Sequence, residues 1–228
     1  MIRAVLFDLD GTLLHSAPDL VAALNWLRER NGLQALPLEE LQNSASRGAV
    51  GLLSAGMPRA DAETLETWRL EFLARYEQFS FAESELFEGV ADLLGYLEEQ
   101  GIPWGIVTNK PEHLAVPILS AAGLSGAIGC LVCGDTLEER KPHPAPVLLA
   151  CERLNVAPAD TVFVGDDLRD LEAGIAAGAI TCAAMYGYGS GEFLKPEYLD
   201  LLKRGFSIEG PTDLLHWLRR DRERCAVP

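Results

Sequence analysis

Five short apolar runs, separated by stretches of helical periodicity, constrain the fold of this chain more than any other feature. The runs cover residues 4–7, 104–108, 130–133, 161–165 and 180–184. Short continuous apolar runs are typical of parallel strands that are buried on both faces. Between them, apolar residues recur every three to four positions, as in the stretch 90–97, which Gly101 ends. From about residue 88 onward, this alternation predicts a Rossmann-like α/β core, with helices on both faces of a parallel sheet.

The segment between the first two runs breaks the alternation. Residues 16–87 contain no convincing strand but carry two apolar stripes at helical spacing, within 20–27 and 65–76. Ser16 and Asp19 have the spacing of a capping box, which predicts that a helix begins there. We therefore predict two domains, a core formed by residues 1–15 and 88–228 and an inserted, all-helical domain formed by residues 16–87.

The charge balance limits the partners of the protein. The chain carries 34 acidic against 19 Lys and Arg residues, a formal charge of −15. A surface this acidic repels phosphate backbones and anionic lipid headgroups, so we expect neither a nucleic acid nor a membrane as partner. The apolar run before Asp8 is too short for a signal peptide, and no apolar stretch approaches about 18 residues. The five cysteines are an odd number in apolar contexts, which favours reduced thiols and a cytoplasmic location. A monomer is expected, with a dimer left open.

Polar residues suited to catalysis follow four of the predicted strands. They are Asp8 and Asp10 after the first, Thr108 and Asn109 after the second, Lys141 in the loop after the third, and Asp166, Asp167 and Asp170 after the fourth. Ligands of open α/β sheets bind beyond the carboxyl ends of the strands, so these side chains should converge. The clustered carboxylates would repel one another without cations. A Mg²⁺ ion beside a bound phosphate, together with Lys141, fits that need, and the Thr108 hydroxyl can hold phosphate oxygens.

These motifs, in this order, resemble those of the haloacid dehalogenase superfamily of aspartyl phosphotransferases. The resemblance rests on Asp-Leu-Asp-Gly-Thr (8–12), Thr108, Lys-Pro (141–142) and Gly-Asp-Asp-Leu-Arg-Asp (165–170). The helical insert is similar to the small α-helical cap of that superfamily. Within it, the chain looks most like phosphoglycolate phosphatases, and residues 104–111 and 165–170 are also similar to N-acetylmuramic acid 6-phosphate phosphatases of cell-wall recycling. A phosphomutase built on the same core stays open as an alternative.

The resemblance implies a Mg²⁺-dependent phosphatase that acts on a small soluble phosphomonoester through an aspartyl-phosphate intermediate. Asp8 would be the nucleophile. Asp10 would protonate the leaving group and then activate water. Lys141 would tie Asp8 to the phosphoryl group, while Thr108 and Asn109 would contact the phosphate.

The resemblance also implies the metal ligands and the role of the insert. The Asp8 carboxylate, the Asp10 backbone carbonyl and Asp166 would ligate Mg²⁺, and Asp170 would orient metal-bound waters. Asp167 would either join Asp170 in that role or serve only as the cap of the following helix. Arg47 in the cap is the candidate contact for the non-phosphate end of the substrate. Relatives usually carry an acidic residue where His15 stands, and we expect this departure to alter packing at the entry to the cap rather than the chemistry.

Overall fold

The protein is described by a computed structural model that covers residues 1–226, with side chains as far as residue 224. In this part of the chain the strands are β1 (Ala4–Phe7), β2 (Leu14–His15), β3 (Glu85–Leu86), β4 (Trp104–Val107), β5 (Cys130–Val132), β6 (Thr161–Gly165), β7 (Ile180–Ala184) and β8 (Phe206–Ile208). Six of them form one sheet in the order β5-β4-β1-β6-β7-β8, and all its pairings are parallel. A separate two-stranded sheet pairs β2 with β3.

Ten α-helices accompany the strands within the described residues. They are α1 (Ala17–Arg30), α2 (Leu38–Ala45), α3 (Gly48–Gly56), α4 (Ala62–Phe79), α5 (Val90–Glu99), α6 (Glu112–Ala121), α7 (Ala145–Arg153), α8 (Leu168–Ala177), α9 (Leu199–Leu202) and α10 (Pro211–Ala226). With the parallel sheet, they confirm the predicted α/β Rossmann-like fold class. The strand β8 was not predicted, because its three residues include an exposed serine and give no apolar run.

The central strand shows why the sequence forms this sheet. Val5 and Leu6 are both fully buried, although successive residues of a strand point to opposite faces, so both faces of β1 are covered. On one face, Leu6 belongs to a core cluster with Phe163 of β6, Val147 of α7 and Ala173 of α8. This packing places the carboxyl ends of β1, β4 and β6 side by side at one edge of the sheet.

The chain divides into two compact units. One is formed by Met1–Leu14 together with the chain from Leu86 onward, and the other by His15–Glu85. In the second unit, α1 packs against α2, α3 and α4. The helix α4 begins after Asp61, whose carboxylate accepts a hydrogen bond of 2.8 Å from the backbone N–H of Thr64.

The capping box predicted at Ser16 and Asp19 is wrong. Ser16 precedes α1 but makes no side-chain capping bond. Asp19 is buried, and its carboxylate instead accepts hydrogen bonds from the backbone N–H groups of Ala82 (3.1 Å), Glu83 (2.9 Å) and Ser84 (3.0 Å), and from the Ser84 hydroxyl. Four converging donors stabilise the carboxylate more than the single N–H of a capping box.

Two further expectations concern the cysteines and the membrane. Cys130, Cys133, Cys151 and Cys182 are buried and form no disulfide, as the sequence predicted. The side chain of Cys225 lies outside the described residues. None of the helices in residues 1–226 combines the length and the apolar character that a bilayer span requires.

Candidate active site

A tight turn after β1 brings the first motif to the edge of the sheet. Asp8 follows the strand directly, and its backbone N–H donates to the carbonyl of Val164 at 2.9 Å. Gly11 has a φ of +84°, which favours glycine, and a Cβ atom at this position would collide with the Asp166 carboxylate. The glycine therefore allows the β1 turn to lie directly against the loop after β6.

Three aspartates converge beyond these strands. Asp8, Asp166 and Asp170 each offer one carboxylate oxygen, and these oxygens all lie within 4.8 Å of one another. Asp166 and Asp170 are fully buried, whereas the Asp8 side chain keeps 12% of its surface exposed. Burial, followed by repulsion from Asp8 and Asp170, raises the pKa of Asp166 well above its ordinary value. The site therefore brings carboxylates together where burial and mutual repulsion disfavour their ionised forms.

Lys141 is the buried cation of this cluster. Its Nζ lies 2.8 Å from Asp8 Oδ1 and 2.7 Å from Asp170 Oδ1, and it donates a hydrogen bond of 2.8 Å to the Val107 carbonyl. Burial alone would favour the neutral amine, but the Asp170 and Asp8 carboxylates outweigh it and raise the pKa of Lys141. The ammonium is therefore fixed between the nucleophile candidate Asp8 and its neighbour.

The cluster fits a hard divalent cation. Its three carboxylates face one ammonium, so the negative charge is only partly compensated. The buried Asp8 Oδ1 has the ion pair with Lys141 but no hydrogen bond of good geometry. Closely spaced carboxylate oxygens are the ligands that Mg²⁺ and Ca²⁺ prefer, and a partly satisfied carboxylate retains the lone pairs that such an ion needs.

A glycine-containing loop after β7 holds Asp166 in place, and the sequence analysis missed it. The Gly189 N–H donates to Asp166 Oδ2 at 3.0 Å, and the Thr12 hydroxyl donates to Asp166 Oδ1 at 3.3 Å. A Cβ atom at Gly187 would collide with the Asp166 side chain and the Gly11 carbonyl. The Gly-Tyr-Gly run at 187–189, shortly after a predicted strand, was the available signal.

Lys110 is a second buried cation, to which the sequence analysis gave no role. Its Nζ lies 3.0 Å from both carboxylate oxygens of Asp10. The Lys110 side chain is 6% exposed and the Asp10 side chain 20%. The available signal was its position, directly after Thr108 and Asn109 at the end of β4.

Thr108 and Asn109 lie at the predicted strand end, and both side chains form hydrogen bonds with backbone groups of the protein. Thr108 is buried, and its hydroxyl oxygen accepts from the Lys110 N–H at 3.2 Å. The Asn109 amide donates to the Lys141 carbonyl at 3.0 Å and accepts from the Lys141 N–H at 3.1 Å. Asn109 therefore clamps the backbone of the residue that carries the buried ammonium.

The two acidic residues predicted to orient metal-bound waters have different surroundings. Asp170 belongs to the carboxylate cluster, and its Oδ2 also accepts from the Asp167 N–H at 3.0 Å. Asp167 caps α8, and its two oxygens pair with the Arg169 guanidinium at 2.7 and 3.0 Å. Burial opposes ionisation of Asp167, but Arg169 outweighs it and lowers the pKa of the carboxyl. Arg47 is exposed at the start of α3 in the helical unit, and its contact with substrate stays a prediction.

Comparisons with known proteins agree on one family. A family model described as haloacid dehalogenase-like hydrolase matches residues 2–178. A phosphoglycolate phosphatase of Xanthomonas campestris pv. campestris (strain 8004) is 47% identical over 190 residues, 83% of this chain and 86% of that protein. An N-acetylmuramic acid 6-phosphate phosphatase of Pseudomonas putida is 44% identical over 188 residues, 82% of this chain and 84% of that protein. The crystal structure of a protein described as a predicted phosphoglycolate phosphatase from Haemophilus somnus 129PT superposes with a TM-score of 0.79 at 26% identity, covering 95% of this chain and 98% of that one.

Proposed function

Because the chain belongs to the haloacid dehalogenase-like hydrolases, and because its relatives are phosphatases, we propose that this phosphatase works through a phosphorylated Asp8 and depends on Mg²⁺. The observation that carries the proposal is the accessibility of Asp8. Of the three clustered aspartates, it alone keeps part of its side chain exposed, while a buried ammonium lies 2.8 Å from its Oδ1. A carboxylate held in this way can meet a phosphorus atom in line, and the cation next to it offsets the charge of the incoming phosphoryl group.

In the first half of the reaction, an Asp8 oxygen attacks phosphorus and the bond to the leaving oxygen breaks. Asp10, two residues along the same turn, gives that oxygen a proton, so that an alcohol leaves. Lys141 and the Thr108 hydroxyl hold oxygens of the transferring group. In the second half, Asp10 takes a proton from water, whose oxygen attacks phosphorus and releases Asp8 and inorganic phosphate.

The carboxylate cluster supplies the proposed metal site. The Asp8 and Asp166 carboxylates and the Asp10 backbone carbonyl would hold Mg²⁺, which neutralises charge on the phosphoryl oxygens when bound. Asp170 fixes Lys141 next to Asp8, and its contacts make it a support for that lysine. Asp167 would contribute through the Arg169 pair and the start of α8, which hold the turn between β6 and α8 in shape.

We propose a two-carbon phosphomonoester of the phosphoglycolate class as the substrate, because several relatives near 47% identity carry that name. The relative at 44% identity specifically favours N-acetylmuramic acid 6-phosphate as the second candidate. Arg47 of the helical unit is the proposed contact for the non-phosphate end in either case. We also expect a cytoplasmic monomer that binds neither nucleic acid nor membrane.

The test is phosphate release with Mg²⁺ from 2-phosphoglycolate and from N-acetylmuramic acid 6-phosphate, side by side. A preference of about 100-fold in kcat/KM, which corresponds to ~2.7 kcal/mol of transition-state discrimination, assigns the substrate. Slow and similar turnover of both would contradict both substrates and direct the search to other sugar phosphates. An isomerised product without inorganic phosphate would indicate a phosphomutase instead. The matched control is Asp8→Asn, which should be inactive with every substrate.

A further inference from the structure

The contacts of Lys110 are more constrained than those of a surface lysine. Its backbone N–H donates to Thr108 Oγ1 at 3.2 Å, and its carbonyl accepts from the Gly134 N–H at 2.9 Å. The side chain is almost fully buried, and its Nζ lies at equal distances of 3.0 Å from the two oxygens of Asp10. The backbone and the ammonium of Lys110 are therefore both fixed.

We propose that Lys110 is a positioning residue, which holds the Asp10 carboxylate in the orientation needed for proton transfer to the leaving oxygen. The proposal rests on the proposed function. The terminal torsion of an aspartate is broad, and Asp10 is partly exposed, so without a partner its carboxylate could rotate towards water. Two equal contacts to one ammonium fix the plane of the carboxylate.

The pair with Lys110 leaves lone-pair directions of the Asp10 carboxylate open. A carboxylate offers about four lone-pair directions, and the ammonium occupies one on each oxygen. The remaining direction on either oxygen can take a proton from water or give one to a leaving oxygen. Positioned general acids contribute about 10²- to 10⁴-fold to a rate, so a loss of orientation should be large enough to measure.

The leaving group separates this role from a general structural one. The kcat/KM value reports the steps up to departure of the leaving group, which is the half-reaction in which Asp10 donates its proton. p-Nitrophenolate leaves without protonation, whereas the alkoxide of an alkyl phosphate requires it. A variant that misplaces Asp10 should therefore lose kcat/KM with alkyl phosphates and keep most of it with p-nitrophenyl phosphate.

The experiment measures kcat/KM of Lys110→Met with 2-phosphoglycolate, or whichever alkyl phosphate the protein hydrolyses, and with p-nitrophenyl phosphate. We expect a loss of about 100-fold with the alkyl ester and less than about 5-fold with the aryl ester. In the Asp10→Asn background, the same substitution should cause no further loss with the alkyl ester. Lys110→Gln, which keeps a polar side chain, serves as the second variant if Lys110→Met does not fold. Lys203→Met is the matched control, because Lys203 pairs with Asp200 at 2.9 Å but is exposed, and it should change neither value.

Equal losses with aryl and alkyl esters would overturn the proposal, since Lys110 would then act on the phosphoryl group or the fold. A loss that persists in the Asp10→Asn background would overturn it as well. Failure of the proposed function gives a different result, because Asp8→Asn would then keep its activity, or the unmodified protein would release no phosphate from any ester.

Discussion

The substitution Asp166→Asn should stabilise the metal-free protein while it removes activity. Asp166 is fully buried beside Asp8 and Asp170, and its carboxylate accepts from the Thr12 hydroxyl and the Gly189 N–H. An asparagine fits the same contacts, because its oxygen can accept from Gly189 and its amide can donate to the Thr12 hydroxyl after that hydroxyl rotates. Burial and the neighbouring carboxylates make the ionised form of Asp166 costly, so a neutral side chain removes that cost and leaves both hydrogen bonds in place.

The size of the effect follows from the charges around the site. Two unit charges about 4 Å apart interact by ~4 kcal/mol at an effective dielectric constant of ~20, and Lys141 offsets part of that repulsion. Replacing buried ionic groups by neutral ones of similar shape typically stabilises by about 1–4 kcal/mol. We expect a gain of about 2 kcal/mol in the free energy of unfolding without metal, or about 4–8 °C in Tm for a chain of this length.

Thermal unfolding in EDTA and in saturating Mg²⁺ tests this prediction. A ligand at 100 times its Kd stabilises by about 2.7 kcal/mol, so Mg²⁺ should raise the Tm of the unmodified protein to at least that of the variant, whose own Tm should hardly respond. Asp167→Asn is the matched control. An asparagine can cap α8 as well as an aspartate, so this change removes only the ion pair with the partly exposed Arg169. It should destabilise by at most about 1 kcal/mol and leave the Mg²⁺ response intact. The prediction is wrong if, in EDTA, Asp166→Asn has a lower Tm than the unmodified protein. It is also wrong if Mg²⁺ raises the Tm of Asp166→Asn as much as it raises that of the unmodified protein.

Three further predictions concern other contacts. Asn109→Ala should lower kcat/KM by about 10- to 100-fold with an unchanged circular dichroism spectrum, because the Lys141 backbone loses its clamp; unchanged kinetics would contradict this. Asp19→Ala leaves three backbone N–H groups without their acceptor. Urea denaturation should therefore show that the free energy of unfolding falls by about 3 kcal/mol, and by less for Asp19→Asn. Burial raises the pKa of Cys130 to about 11 and of Cys133 to about 12. Unfolded thiols ionise at lower pH than these, so stability to urea should fall as the pH rises from about 9 to 11, and a flat profile would contradict the burial argument.

The edge of the sheet that carries the candidate site could be predicted because parallel topology leaves little freedom. Once residues 4–7 and 161–165 are parallel neighbours, the residues that follow them must meet at one edge, and Asp8 and Asp166 do so. The strand ends were less certain. The predicted run extends to Thr108, but β4 ends at Val107. The Thr108 hydroxyl oxygen instead accepts a hydrogen bond from the backbone N–H of Lys110.

Contacts between side chains distant in sequence could not be predicted in the same way. The local sequence around Lys110 does not distinguish an ammonium that points to Asp10 from one that points to solvent. Only the packing of the folded chain decides between these two orientations. Asp19 has the spacing of a capping box, and nothing local shows that donors 63 to 65 residues later reach it. The Gly187 and Gly189 loop likewise matters only through its distance from Asp166.

Detection of the phosphorylated enzyme tests the central claim most directly. The protein is mixed with Mg²⁺ and a hydrolysed ester, quenched in acid within one turnover, and digested for mass spectrometry. The account predicts one phosphoryl group on Asp8, which is absent from Asp8→Asn. With p-nitrophenyl phosphate, whose leaving group needs no proton, it should accumulate in Asp10→Asn, because only dephosphorylation is then slowed. Turnover without a phosphoryl group on Asp8, or with one on another residue, would contradict it.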